Sequence, residues 1–253
     1  MFGTISHLIK EMLESVRRSV LRAKIKPSTK AAAIQEHLRC AGYYVINDYW
    51  SQEKCAEART EIDALLLDAK TTKKWTDDHQ SDTRFFYAEQ MGGVFLDFLN
   101  DELIEEVRLC HSGRVNSEKV IMAAKLVHRE GNHGSGGGWH RDSPHTPQFK
   151  ALMYLTDVNK DNGPFEYITG SQKSSQSIMD LIKGYARPNQ YRFTNSEISG
   201  IKNTVTLPKV FTGKAGTLVI FDSKGVHRGV PIEAGKRYAI TLYCSDGGPL
   251  LLH

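Results

Sequence analysis

After Val120 the chain stops reading as helix and runs as short apolar stretches separated by turns rich in glycine and asparagine. Candidate strands are Val120–His128, Phe149–Tyr154, Phe165–Ile168, Thr204–Leu207, Thr217–Phe221 and Tyr238–Cys244. Strands this short, joined by irregular turns, predict a sandwich, barrel or jelly roll. Upstream the pattern is helix, strand, helix. Ala31–Leu38 reads as helix, Gly42–Ile46 as a short buried strand, and Ser51 as the cap of a helix that reaches Leu67. Residues 71–83 are polar and read as loop, and one further helix is predicted from Gly92 to Leu109. The expected architecture is mainly β with flanking α-helices, as one domain over residues 31–253.

Charge sets residues 1–30 apart. They carry seven basic side chains against Glu11 and Glu14, a net +5; the whole chain is +4, so the remainder sums to −1. A neutral body has no electrostatic motive to bind nucleic acid. Ile5, Leu8, Ile9, Met12, Leu13, Val16, Val20 and Leu21 recur at helical spacing, which predicts a basic amphipathic helix ending before Pro27. Two placements suit it: packing on the domain or on a second copy of the chain, or peripheral attachment of residues 1–26 to an anionic membrane surface. No apolar run approaches the ~18–20 residues that a bilayer span requires. Cys40, Cys55, Cys110 and Cys244 are scattered without a CxxC pair, which suits a reducing, cytoplasmic setting rather than a disulfide framework or thiolate zinc site.

The sharpest local feature is Trp139-His140-Arg141-Asp142. In extended chain, residues two apart face one side, so His140 and Asp142 can point together into the fold. His227, just beyond the strand Thr217–Phe221, can supply a third ligand. Two histidines and one carboxylate on one face form the facial triad of non-haem Fe(II) oxygenases. Arg237 opens the apolar strand that follows. A guanidinium inside a barrel needs a fixed anionic partner, and a dicarboxylate co-substrate fits it bidentately. No phosphate-binding glycine loop and no Gly-x-Ser-x-Gly elbow is present.

Taken in order, these residues resemble the phytanoyl-CoA dioxygenase family. The likeness begins at Gly42-Tyr43-Tyr44-Val45-Ile46, passes through His140 and Asp142, then Asn162-Gly163-Pro164 and Thr169-Gly170-Ser171. It continues through Gly216–Phe221 to His227, Arg237 and Tyr243. The resemblance implies a double-stranded β-helix, a jelly roll of the cupin kind, using Fe(II) with 2-oxoglutarate and O2 as co-substrates. It implies that His140, Asp142 and His227 bind iron and that Arg237 holds the distal carboxylate of 2-oxoglutarate. Lys125 and Tyr154 stand where the family places residues beside the co-substrate. Asp142 in place of the glycine or alanine of related halogenases implies hydroxylation or a related oxidation such as desaturation. The expected reaction is hydroxylation of a small polar or anionic organic substrate. Two other readings are an inactive binding module on the same fold and a cupin-like metallohydrolase.

Residues 171–203 interrupt the strands with a stretch rich in serine, asparagine and glutamine, and a helix is predicted near Ile178–Lys183. This insertion is expected to lie exposed at the mouth of the site as a lid, offering Arg187 and Arg192 to substrate. His145 and Arg84 are further candidates for substrate contact.

Overall fold

The computed structural model describes residues 2–67, 73–202 and 208–245. Two antiparallel sheets face each other. The larger has seven strands in the order β1 (Tyr43–Ile46), β8 (Leu218–Asp222), β5 (Phe149–Tyr154), β10 (Lys236–Ser245), β4 (Glu118–Val127), β3 (Asp82–Phe86) and β2 (Lys73–Thr76). The smaller has three, in the order β7 (Lys209–Phe211), β6 (Phe165–Tyr167) and β9 (His227–Gly229). This is the expected jelly roll, with helices on the outside of the larger sheet.

Side-chain alternation divides the larger sheet into two faces. Ile121 and Ala123 of β4, Ala151 and Met153 of β5, Leu218 and Ile220 of β8, and Ile240 and Leu242 of β10 point outward. They pack against Ile34 and Leu38 of α2 (Thr29–Ala41), Ile62 of α3 (Gln52–Leu67), Phe95 and Phe98 of α4 (Gly93–Leu99), and Val107 of α5 (Glu102–Ser112). The opposite face meets the smaller sheet through Leu152, Val219, Phe221, Phe165 and Phe211. Ser28 caps α2 through the Ala31 N–H, and Gly42 ends it at φ +92°, a left-handed conformation that glycine adopts without strain.

Three expectations need correction, and a fourth cannot be compared. Residues 71–83 are not all loop: β2 and β3 form a hairpin whose turn is closed by Asp77 Oδ1, accepting from the N–H of Ser81 at 2.6 Å and of Asp82 at 2.9 Å. β2 is an edge strand with residues on both faces open to water, so its sequence is mostly polar. The helix predicted over Gly92–Leu109 is two, because Asp101 accepts the Ile104 N–H at 3.0 Å and starts α5 afresh. The segment around His140 is not a continuous strand; His140 is held by isolated bridges to His227 and Arg192. The strand read at Thr204–Leu207 lies outside the described residues, and β7 begins at Lys209.

The insertion is packed as well as exposed. It contains α6 (Ser174–Ile182) and α7 (Asn195–Lys202), and Phe193, Ile198 and Ile201 are buried against Trp139 and Val226. Those two residues each precede a histidine of the candidate triad, so the insertion buttresses the site from behind. No helix among the described residues is long and apolar enough to cross a membrane.

Candidate metal centre

His140, Asp142 and His227 converge, their ligand atoms all within 4.8 Å of one another. The backbone brings them together. His140 N donates to His227 O at 2.9 Å and His227 N to His140 O at 2.8 Å, while the Asp142 N–H is fixed on Ser223 O at 2.9 Å. Each imidazole is oriented through its far nitrogen: His140 Nδ1 lies 2.9 Å from Gly138 O and His227 Nδ1 lies 2.8 Å from Gly225 O. As donors to those carbonyls, both rings present an unprotonated Nε2 to the centre. Gly136, at φ +86°, lies against the His140 ring, and a side chain there would collide with it.

Electrostatics keep the three groups in ligating form. Burial, above all, pushes His227 down to about 3 and His140 down to about 4. Burial also works against the Asp142 carboxylate, but Lys150 and the two imidazoles outweigh it and hold Asp142 well below the usual carboxylate range. Lys150 Nζ is 2.5 Å from Asp142 Oδ2 and lies over the Tyr243 ring at 3.9 Å. Both Lys150 and Arg237 are buried.

The centre opens into a cavity of about 580 Å³ between the sheets. Arg237 lines it from β10, and its Nε and Nη1 have no hydrogen-bond partner. Burial pushes its pKa down, but an arginine stays charged at neutral pH. An unpaired buried cation in a cavity is costly and fits an anion that is itself absent from the chain.

The remaining candidates separate by place. Arg84 lines the cavity, ion-paired to Asp82 at 2.6 Å and stacked over Trp75 at 4.9 Å. Arg192 also lines it and donates from Nη1 to the carbonyls of Gly136 and Gly137, tying the insertion to the glycine loop. Lys125 is on the opposite face: it shares the parity of Ile121 and Ala123, pairs with Asp63 of α3 at 2.7 Å and lies over Tyr238. Tyr154 is buried outside the cavity lining. Its hydroxyl donates to Phe211 O and accepts from Phe165 N, both at 2.9 Å, which joins the two sheets. His145 is within 2.7 Å of Asn189 Oδ1 of the insertion, and Arg187 pairs with Glu197 at the surface; neither lines the main cavity. Sequence reasoning passed over Lys150. A lone lysine inside the apolar run Phe149–Tyr154, at the parity of Leu152, was the available signal.

With this geometry in view, residues 38–237 match the family described as Phytanoyl-CoA dioxygenase (PhyH). The chain belongs to that family. A search of curated proteins gives no match. Solved structures share the fold of this dioxygenase-family chain at low identity. EctD from S. alaskensis with bound Fe superposes at TM-score 0.65 and 17% identity, covering 88% of this chain and 80% of that one. The epimerase SnoN, in complex with Fe3+, alpha ketoglutarate and nogalamycin RO, superposes at TM-score 0.63 and 14% identity, covering 86% and 84%. HygX from Streptomyces hygroscopicus, with nickel and 2-oxoglutarate bound, superposes at TM-score 0.55 and 14% identity, covering 90% and 89%.

Proposed function

We propose that the protein is an Fe(II)- and 2-oxoglutarate-dependent oxygenase that hydroxylates a small polar or anionic organic substrate. The observation that carries this reading is Arg237, a buried guanidinium facing the same cavity as the His140–Asp142–His227 cluster with two nitrogens unpaired. A hydrolase using a metal-bound water has no need of such a cation. A dicarboxylate co-substrate does.

The donor set suits the iron: two neutral imidazoles and one ionised carboxylate, with positions left for exchangeable ligands. His140 and His227 would ligate through Nε2 and Asp142 through its carboxylate, while Lys150 restrains that carboxylate. With Fe(II), 2-oxoglutarate and O2 bound, the centre would oxidise a substrate C–H bond and release succinate and CO2, chemistry that belongs to the metal and co-substrate. The chain supplies orientation, charge and dryness. Arg237 would pair the distal carboxylate of 2-oxoglutarate. Arg84 and Arg192 favour an anionic or polar substrate, since Asp142 is the one carboxylate side chain among the cavity-lining residues. Tyr191 and Arg192 bring the insertion to the cavity wall, and closure of residues 171–203 there would exclude water.

The test is succinate formation from 2-oxoglutarate in the presence of Fe(II), measured across a panel of small carboxylates, phosphonates and amino acids. One class should accelerate it. Truncating one partner of a buried charge pair costs ~2–5 kcal/mol, so Arg237→Ala should raise the 2-oxoglutarate KM by at least ~30-fold. A metal-dependent activity that survives Arg237→Ala unchanged would overturn the reading. Arg192→Ala should instead raise the substrate KM and the uncoupled fraction of succinate, with the 2-oxoglutarate KM unaltered.

A further inference from the structure

Helix α1 (Phe2–Arg22) sits on the domain with its polar side inward. Arg18, only 3% exposed, reaches Glu14 at 2.8 Å, Pro147 O at 2.6 Å and His111 O at 3.4 Å. Arg22 Nε donates to the same His111 carbonyl at 2.6 Å. The two guanidinium groups thereby satisfy the C-terminal end of α5, where cations are favoured. Leu21 lies against Gly113, which leaves no room for a side chain there.

This docking leaves the apolar side outward. Ile9, Met12, Leu13, Val16 and Val20 are 49%, 61%, 60%, 61% and 59% exposed. At 3.6 residues per turn they fall within about 100° of one another, centred nearly opposite Arg18. A soluble helix that packs on its own domain buries this stripe; here it is held away by a salt-bridged anchor. The exposed Lys10 and Arg17 border the stripe on one side, Ser15 and Ser19 on the other, and Lys24 and Lys26 lie exposed just past the helix end.

We propose that this face of α1 seats on the surface of an anionic phospholipid bilayer, with the stripe among the acyl chains and the basic residues at the headgroups. Charge complementarity selects this occupant. Among the described side chains a second copy of the helix would offer no acid to the basic border, because Glu14 is turned inward onto Arg18. An antiparallel pair would set Lys10 and Arg17 against their own counterparts, and a parallel pair would set them against serines. A bilayer containing phosphatidylglycerol meets both the apolar stripe and the cations, which is the arrangement of interfacial amphipathic helices. Arg18 bridges to the Pro147 carbonyl, in the loop that follows Asp142, so the seated helix would hold the cavity close to the membrane surface.

The experiment is co-sedimentation of the full chain with vesicles of phosphatidylcholine alone and of phosphatidylcholine mixed with phosphatidylglycerol. Its readout is independent of turnover, so its failure would leave the oxygenase reading untouched. Binding should require the anionic lipid and weaken as salt is added. Leu13→Glu with Val16→Glu should abolish it, and both sites are exposed enough to leave the fold intact, as an unchanged Tm would show. Lys10→Gln and Arg17→Gln should each weaken it about fivefold, the equivalent of about 1 kcal/mol per basic side chain. Equal binding to neutral vesicles, or none to either, overturns the proposal. So does a dimer in solution that Val16→Glu converts to monomer without vesicle binding, since the stripe would then be covered by a second copy.

Discussion

The two faces of the seven-stranded sheet come from the same strands, one residue apart, and they have opposite characters. The outward face is hydrocarbon over most of its area: Met153, Ile220, Ile240 and Leu242 are fully or almost fully buried beneath the helices, with Lys125 and the Tyr238 hydroxyl at its margin on Asp63. The inward face, built from the alternate residues, carries Lys150, Arg237 and Thr241 beside Leu152 and Ala239. One face removes apolar surface from water and stabilises the fold. The other holds buried charges: Lys150 pairs with Asp142, while Arg237 Nε and Nη1 have no hydrogen-bond partner among the described residues. Stability and chemistry are therefore separable along a single strand, and β10 contains both at alternating positions.

Substitutions should break this comparison in a graded way. The largest effect belongs to the inward side. Asp142→Ala or His140→Ala should lower iron affinity by more than the ~10–100-fold typical of removing a ligand's supporting partner. Equilibrium dialysis with metal analysis checks it, and stoichiometric iron in both variants would remove the triad. The outward face should answer in stability instead. Ile240→Ala should cost ~2–5 kcal/mol by the usual price of a core cavity, with iron binding retained in the folded fraction. On the other side of the same strand, Arg237→Leu should keep or raise the unfolding midpoint in denaturant while 2-oxoglutarate turnover is lost.

Acid should attack the inward face as well. His140 and His227 are held at about 4 and about 3, below the ordinary histidine value, chiefly by burial, and the buried His111 is also pushed down. The unfolded chain therefore takes up protons that the folded one refuses. The stability of the metal-free protein is present above the unfolded value near ~6.5 and is lost as pH falls below it, by about 2 kcal/mol at pH 5 for each of His140 and His227. Thermal unfolding of the metal-free protein at pH 7 and pH 5 measures this; an unchanged or higher Tm at pH 5 would contradict the burial of neutral rings. The smallest effect should come from Lys125→Ala. Its ion pair with Asp63 is on the outer side and half open to water, so the loss should stay under ~1 kcal/mol, with the 2-oxoglutarate KM unmoved. A changed KM would place Lys125 in the site after all.

How much of this could be read from the sequence follows from parity and spacing. The triad and Arg237 were legible because each sits at a strand end or turn with a fixed neighbour pattern. Lys125 was placed beside the co-substrate by family position, whereas counting from Ile121 in steps of two puts it outward. The same count applied to Phe149–Tyr154 puts Lys150 inward. The split between α4 and α5 was written in Asn100-Asp101, since an aspartate ahead of Glu102 is a helix start. The β2–β3 hairpin was missed because β2 is exposed on both faces, with Lys73, Lys74 and Thr76 open to water, and so shows no alternation. The direction in which α1 faces was not legible at all. Periodicity identified its apolar stripe, but only the long reach of Arg18 to Pro147 and His111 decides which side meets the domain.

The mutual hydrogen bonds between His140 and His227 also fix when the centre can exist during synthesis of the chain. The second histidine belongs to β9, which pairs with β6 and lies late in the sequence. A nascent chain that has already released His140 and Asp142 from the ribosome has only two of the three proposed ligands. Its His140 ring can already meet the Gly138 carbonyl, but the His140 backbone has no partner on that side until β9 emerges and closes against it. On the proposed assignment, metal loading would be a late event coupled to closure of the smaller sheet, and fragments ending before residue 227 should emerge without it.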